Sequence, residues 1–362
     1  MLKLKTHTRA ITLVLVLLLA VVPAGYVKAG SSFAYPVMRL SAEQRALQNQ
    51  QALAAPAADI DANIRQELAS RLQGSSLSLL SRISYVPQER DQGANGSCWV
   101  WTGTGIMEIA LNVQQNITAR LSIQYLMSNY NGGSGPNWAG NGGDAALFAS
   151  FYNTQKKIIP WSNLNAGYQD TFSTTGTIVP ASSIVTTPNY GIASVTAAII
   201  PTWGNGKDAA ILNIKSILNQ NRAVFFGFYL ANASDWNQFF SFWDNQSESA
   251  LWEYGFSDGK PYDPVTGGGH GLLCVGYDDS DPDPSQHYWL MVNSWGTAAG
   301  RPNDLLRIPM EYTYDAADSS GAYNTEWWTI TPTYLNAVDK AADTPAVPSS
   351  VINPKSSTPG NW

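Results

Sequence analysis

The apolar and polar positions divide the chain before any chemistry is considered. Residues 13–22 form an unbroken apolar run, preceded by Lys3, Lys5 and Arg9 and followed by Pro23, Gly25 and the small-residue site Val27-Lys28-Ala29. This is the layout of a secretory signal peptide, residues 1–29, cut after Ala29. The run falls short of the roughly 20 residues that span a bilayer, and no second apolar segment of that length follows. The chain is therefore expected to be secreted or otherwise extracytoplasmic, with no stable membrane insertion after signal cleavage. An uncleaved anchor is the alternative. Residues 30–80 are rich in Ala, Gln and Ser, and their periodicity predicts helices over 42–53 and 60–72. The second places Ile60, Ile64, Leu68 and Leu72 on one face. A further helix is predicted from Trp99 to Leu111, with Val100, Ile106, Ile109 and Ala110 as apolar positions and Ser97 as its N-cap. The apolar runs at 272–275 and 288–292 read as buried strands. Residues 331–362, with Pro332, Pro345, Pro348, Pro354 and Pro359 among Ser, Thr and Ala, read as an extended C-terminal tail. That leaves 81–330 for the main folded domain.

Composition narrows the function classes. The 362 residues carry a net charge of −6; without Lys3, Lys5, Arg9 and Lys28, 17 cations remain against 27 acids. A nucleic-acid partner is disfavoured, because phosphates need clustered Lys and Arg. With 44% hydrophobic and 13% charged residues the chain can bury a core. Its tryptophans (Trp99, Trp101, Trp289, Trp295, Trp327, Trp328) read as core rather than as a cofactor box. Two cysteines exclude a disulfide scaffold and a cysteine-rich zinc module. The acidic run 278–283 lacks the spaced pattern, ending in Glu, of a calcium loop and reads as a solvated hairpin. Of three histidines, His7 lies in the signal segment, so histidine chemistry must use His270 or His287. His287 sits in a polar turn and reads as solvated.

The strongest chemical signal surrounds Cys98. Gly93, Gly96 and Ser97 make a loop, and Cys98 follows in the first turn of a predicted helix. There the free amides and the positive end of the helix dipole favour a thiolate, the form that attacks a carbonyl. His270, in Gly267-Gly-Gly-His-Gly-Leu-Leu-Cys-Val-Gly-Tyr277, stands at the mouth of a strand and can carry the proton. Asn293 follows another strand, inside Asn293-Ser-Trp-Gly296, and its amide oxygen can accept the imidazole N–H.

Taken in order, Gln92-Gly-Ala-Asn-Gly-Ser-Cys-Trp99, Gly-His-Gly with its strand, and Asn293-Ser-Trp-Gly296 resemble the papain family of cysteine peptidases across roughly residues 82–330. Leu121-Ser-Ile-Gln-Tyr-Leu126, Gly140-Asn-Gly-Gly143 and a helix and strand at 209–219 and 223–229 occupy the family's expected places. The resemblance implies an α+β, papain-like two-lobed fold. A helical lobe near 98–180 carries Cys98. A β-barrel-like lobe near 181–330, joined by a strand before Gln92, carries His270 and Asn293. The active-site cleft lies between them. The resemblance also assigns roles: Cys98 as nucleophile, His270 as base and then acid, Asn293 as the group orienting His270, and Gln92 as oxyanion donor beside the Cys98 amide. Trp295 shields the Asn293–His270 contact. Gly142 and Gly143 match the substrate-binding strand, and Gly96 joins them as a substrate-binding position. A plain turn is the alternative for Gly142 and Gly143. By position, residues 30–80 are a candidate pro-segment or an N-terminal linker.

The implied activity is hydrolysis of peptide or protein substrates by a monomer, through an acyl-enzyme, with no metal and no cofactor. Two alternatives stand beside it: a non-catalytic surface binding protein on the same fold, and a transpeptidase that passes the acyl group to an amine. The sequence departs from the family in several places, and the usual long helical pro-segment motif is not recognisable in residues 30–80. Asn95 and Gly140 replace the two cysteines of a usual disulfide, so no disulfide is expected, and Cys274 reads as a buried strand residue. A second Trp-Gly after Asn293-Ser-Trp-Gly296 is replaced by Ala298-Ala-Gly300. The 172-residue interval from Cys98 to His270 implies insertions near 160–205 and 231–265, at the cleft rim.

Overall fold

The computed structural model describes residues 35–71 and 74–335. The expected signal peptide, Leu72 and residues 336–362 lie outside the described residues. Among the described residues no helix is long and apolar enough to cross a membrane.

The N-terminal stretch carries α1 (Ala42–Ala54) and α2 (Ala62–Ser70). Ser41 and Gln44 close a capping box over α1, and Asp61 caps α2 by accepting from the Asn63 and Ile64 amides. Such caps satisfy amides that no helical turn can reach. A short strand β1 (Ser76–Ser78) follows. The central helix α3 (Cys98–Gln115) is longer than its apolar pattern predicts and is buried along most of its length. It starts at Cys98 and stops where Asn116 turns left-handed at φ 54°. Ser97 occupies the cap position, but its side chain makes no cap hydrogen bond. Helices α4 (Ile123–Asn129) and α5 (Ala145–Gln155) complete the helical part, capped by Ser122 and Asp144.

The sheet comprises β1 with β2 (Lys157–Ile158), β3 (Tyr190–Ile199), β4 (Val224–Leu230), β5 (Gly268–Asp278), β6 (Tyr288–Val292), β7 (Leu305–Pro309) and β8 (Thr325–Tyr334). Its order is β2-β3-β8-β4-β5-β6-β7, with β1 extending the β4 side of β5. Every pairing is antiparallel. The expected barrel-like lobe is an open sheet: β2 and β7 stand at opposite ends of the order and do not pair. The strand that joins the sheet ahead of Gln92 is β1, which pairs with the end of β5 and stops well short of Gln92. Between β1 and Gln92, Pro87, which lacks an amide proton, opens a short 3-10 turn, and Asp91 bridges to Trp295. Helix α6 (Lys207–Asn219) leads into β4. Helix α7 (Ala233–Asn245) occupies the anticipated insertion after β4 and buries Trp236, Phe239, Phe240, Phe242 and Trp243. Strand β8 ends at Tyr334, so its last four residues enter the segment read as tail. The tryptophans expected in the core are all buried.

β5 decides where the chemistry sits. Antiparallel pairing turns the amide groups of alternate residues to opposite edges. His270 and Leu272 face β4, opposite Phe228 and Phe226, while Leu273 pairs with Val292 of β6. Between the end of β6 and the start of β5, the backbone of Gly269 and Gly271 faces away from β4. Helix α3 packs across this strand.

The α3 contacts are close because Gly103 and Gly105 lie on its buried face. A Cβ at Gly103 would stand 2.4 Å from the Phe148 ring, and one at Gly105 2.5 Å from Leu273. Gly103→Val is expected to lower stability by about 1–3 kcal/mol through overpacking, read as a fall in the urea midpoint. An unchanged midpoint would show that Phe148 yields.

Candidate active site

The two outward amides of β5 find different partners. Gly271 N–H donates to Cys98 Sγ at 3.3 Å, which fixes the thiol one residue from His270. A Cβ at Gly271 would meet Phe225 at 3.2 Å and the Trp99 backbone at 3.6 Å, so glycine lets the start of α3 lie close to the strand. His270 Nε2 lies 2.7 Å from Asn293 Oδ1. An amide oxygen only accepts, so Nε2 carries the proton and Nδ1 is the acceptor of the neutral ring. That Nδ1 is buried and has no hydrogen-bond partner. Trp295 stacks on the imidazole, with ring centroids 4.5 Å apart and planes at 28°, and Phe228 meets it edge-on at 5.8 Å.

The Asn293–Trp295 turn is fastened from behind. Asn293 N–H donates to Asp304 O at 3.0 Å, and Arg90 Nε reaches Asn293 O at 3.4 Å. Arg90 and the fully buried Asp304 carboxylate approach to 4.0 Å. Ser294 Oγ donates to Gln92 Oε1 at 2.7 Å, and Gln92 N–H donates to Ser294 O at 2.8 Å. These bonds hold the Gln92 amide so that Nε2 donates to Asn95 O at 2.7 Å and to Pro36 O at 3.4 Å. Where the family's disulfide is missing, Gly96 N–H donates to Gly140 O at 2.6 Å, and the Asn95 amide donates to Asp170 O at 2.9 Å.

Residues 35–40 cover these groups. Met38 exchanges two 2.9 Å backbone bonds with Gly269, adding one strand residue to the edge of β5 that β6 leaves open. Its sulfur accepts from Gly143 N–H at 3.4 Å. Gly142 holds φ at 126°, a conformation rare for L side chains, and a Cβ there would stand 3.2 Å from Met38 Cβ. Met38 Cα would lie 3.4 Å from a Cβ at Gly96. Tyr35 stacks on Trp295 at 4.6 Å and 17°, and its hydroxyl bonds Asp244. Arg39 donates to Thr266 O and Gly267 O at 2.7 Å each. Cys98 and His270 are left wholly buried.

Burial sets the electrostatics. It pushes the Cys98 thiol up to about 12, against the opposing pull of the Gly271, Trp99 and Cys98 amides. It pushes His270 down to about 4, with the Asn293 bond opposing. The thiolate expected from the helix dipole is thus outweighed by desolvation while residues 35–40 are in place. Both side chains are neutral.

Gln92, Gly96, Cys98, Gly142, Gly143, His270, Asn293 and Trp295 therefore lie along one continuous set of contacts. The pattern along the chain did not single out Ser294, Arg90, Asp304 or the strip Tyr35–Leu40. Ser294 stood inside Asn293-Ser-Trp-Gly296. His287 is half-buried in its turn, with Nε2 2.7 Å from Asp281 O. Both cysteines are free and buried. Among the described residues no group of three or more His, Cys, Asp or Glu side chains could hold a metal ion.

Comparisons with known proteins return proteases. A family model described as "Papain family cysteine protease" matches residues 241–314, which include His270 and Asn293. A cathepsin L-like proteinase of Fasciola hepatica is 26% identical over 216 residues, 60% of this chain. The chain spans 55% of that curated relative's length. Among solved structures, xylellain, a cysteine protease from Xylella fastidiosa, aligns with a TM-score of 0.52 at 17% identity, covering 85% of this chain and all of that one. Bromelain from Ananas comosus, solved with the E64 inhibitor, aligns with a TM-score of 0.47 at 15% identity, covering 71% and 98%. The resemblance to papain-family cysteine proteases is shown, and the fold is papain-like and α+β.

The depressed His270 pKa predicts a stability effect. Unfolded histidine titrates near about 6.5, so below that pH the unfolded chain takes up a proton that the folded site refuses until about 4. Stability should fall as pH drops through this window, by about 1.4 kcal/mol per unit. In urea titrations at several pH values, His270→Gln should show a shallower acid limb than the parent. Equal slopes would mean that the ring is not held neutral.

Proposed function

We propose that this papain-like chain is a secreted cysteine peptidase whose cleft is closed by its own N-terminal segment. The observation that carries the reading is the conjunction at the edge of β5. The Cys98 thiol is anchored on Gly271, the residue after His270, whose Nε2 is fixed by Asn293 and whose Nδ1 has no hydrogen-bond partner.

In the open cleft the Cys98 S–H proton passes to His270 Nδ1, and the sulfur attacks the carbonyl carbon of a peptide bond. The carbonyl electron pair moves onto oxygen. Gln92 Nε2–H, released from Pro36 O, and the Cys98 N–H receive that oxyanion, each such donor worth about 3–4 kcal/mol of barrier. Collapse breaks the C–N bond, and Nδ1–H protonates the leaving amine. Water, losing its proton to Nδ1, then attacks the thioester, and collapse of the second intermediate returns the proton to sulfur. Asn293 keeps the ring oriented throughout, and Trp295 keeps water from the Asn293–His270 bond.

Residues 35–40 occupy the substrate's place. Met38 takes the backbone of Gly269, Met38 Sδ takes the Gly143 amide, and Pro36 O takes the Gln92 donor. Pairing an extended peptide with an open strand edge is a general mode of peptide capture. The N-terminal segment is accordingly a pro-segment in function, and the enzyme acts as a single chain on peptide or protein substrates.

The full chain should cleave a denatured protein slowly. Tyr35→Ala combined with Met38→Lys should raise both turnover and iodoacetamide alkylation of Cys98 relative to Cys274 by at least about tenfold, since each tenfold step needs only about 1.4 kcal/mol of lost closure. Unchanged rates would deny the cover. Adding Cys98→Ser to the opened variant should abolish cleavage while the melting transition stays cooperative; residual cleavage would place the nucleophile elsewhere. Mass spectrometry of the products with added amine separates hydrolysis from transfer.

A further inference from the structure

Helix α1 inserts one charged side chain into the body of the protein. Arg45 is 3% exposed. Its Nη2 bonds Tyr323 O, Asn324 Oδ1 at 3.2 Å and Ala322 O at 3.3 Å. Its guanidinium carbon lies 3.8 Å from the centroid of the Tyr229 ring. The Tyr229 hydroxyl stands 3.3 Å from Glu326 Oε1 and 3.0 Å from Gln48 Oε1. The seat thus offers two carbonyls, an amide oxygen, an aromatic face and a neighbouring carboxylate. These are hydrogen-bond acceptors and a π surface, which suit a planar cation and little else.

The seat adjoins the cleft. A Cβ at Gly269 would touch the Tyr229 ring at 2.8 Å and Met38 Cε at 3.2 Å, so the ring separates the Arg45 seat from the place of Met38. On the opposite wall Asp144, which follows Gly143, acts electrostatically on both Tyr229 and Glu326. Burial and the Asp144 charge raise the Glu326 carboxyl to about 7, and Arg45 opposes them. Arg45 thus acts on both Tyr229 and Glu326, and that cation belongs to the segment that must leave. Its fit is incomplete: Arg45 Nε is buried with no hydrogen-bond partner.

We propose that the Arg45 seat is a guanidinium subsite of the cleft, plugged by the segment's own arginine in the closed chain and taken by an arginine side chain of the peptide substrate in the open one. The proposal rests on the peptidase reading for its substrate, but the subsite itself rests on the contacts of Arg45. Departure of the segment leaves buried acceptors unpaired, and a site with unpaired buried polar groups rejects ligands that cannot satisfy them. An arginine-bearing peptide restores the bonds, whereas a leucine-bearing one does not.

The test uses the full chain with Arg45→Ala, probed by methylguanidine in calorimetry and thermal melts. Saturable binding is expected, at least fivefold tighter than methylamine, reduced at least fivefold by adding Glu326→Gln, and missing from the parent chain, whose seat is filled. No binding beyond that of the parent would overturn the proposal. Should the alanine variant not fold, Arg45→Gln keeps much of the side chain without its charge and gives the same comparison. In parallel, two peptide sets that differ only in arginine or leucine on the acyl side of the cleaved bond are offered to a chain that combines Arg45→Ala with the cleft-opening Tyr35→Ala and Met38→Lys. In that opened chain the arginine set should be cleaved with kcat/KM at least tenfold higher, and adding Glu326→Gln should shrink that ratio. Cleavage of both sets at equal rates would overturn the subsite and leave the peptidase standing. Methylguanidine binding without cleavage of either set would uphold the subsite and count against the peptidase.

Discussion

Strand β5 has one edge that β4 fills along its first seven residues and another that β6 covers only from Leu273 onward. The uncovered stretch, from Gly269 to Gly271, is the constraint on which the rest of the site depends. Backbone amides must be paired when they are buried, so this gap requires partners. It takes the Met38 backbone at one residue and the Cys98 sulfur two residues further on. The two-residue period of the strand therefore fixes the spacing between a bound extended chain and the thiol. His270, the residue between them, directs its backbone to β4 and its ring to the Asn293 turn.

The same gap explains how one set of groups serves two states. The start of α3 brings a helix dipole and free amides to the sulfur, both of which favour a thiolate. Exclusion of water favours the neutral thiol, and with the cover in place exclusion wins. The imidazole obeys the same balance with the opposite sign of charge. In the closed cleft proposed above, such a neutral pair would have low reactivity. On that proposal, admitting water or a polar substrate would shift both groups toward the ionised pair without moving the strand that carries them.

Behind the site, polar groups replace devices that the motif pattern led one to expect. The lost disulfide gives way to the Gly96–Gly140 backbone bond and the Asn95 amide. After the missing second Trp-Gly, Arg301 is fully buried, bonding Trp243 O, Phe242 O and Leu305 O and lying over the rings of Phe242 and Trp243. It ties the last turns of α7 to the loop before β7. Trp243 in turn meets Trp295 edge-on at 5.6 Å, so the inserted helix braces the ring that covers His270. Arg90 and Asp304 hold the Asn293 backbone from the other side. Buried pairs of this kind contribute more to geometry than to net stability, because desolvation consumes much of their attraction.

The sequence alone determined what depends on residue type and short spacing. The α+β class, helices α1, α2 and α3, the strands around His270 and before Asn293, and the grouping of Cys98 with His270, Asn293 and Gln92 were legible there, because periodicity and motif are local quantities. Boundaries shifted where caps and packing took over. Strand β5 runs from Gly268 to Asp278 rather than over 272–275, since backbone pairing continues through residues too small or too polar to register as an apolar run. Only the tertiary structure decided that the sheet stays open, that Ser294 holds Gln92, that Arg45 fills an acceptor-lined seat, and that Tyr35–Leu40 lies on the edge of β5. Each of these joins residues far apart in the chain through backbone groups or burial. A backbone amide is the same whichever residue carries it, and burial belongs to the assembled fold, so neither leaves a mark in the order of the amino acids.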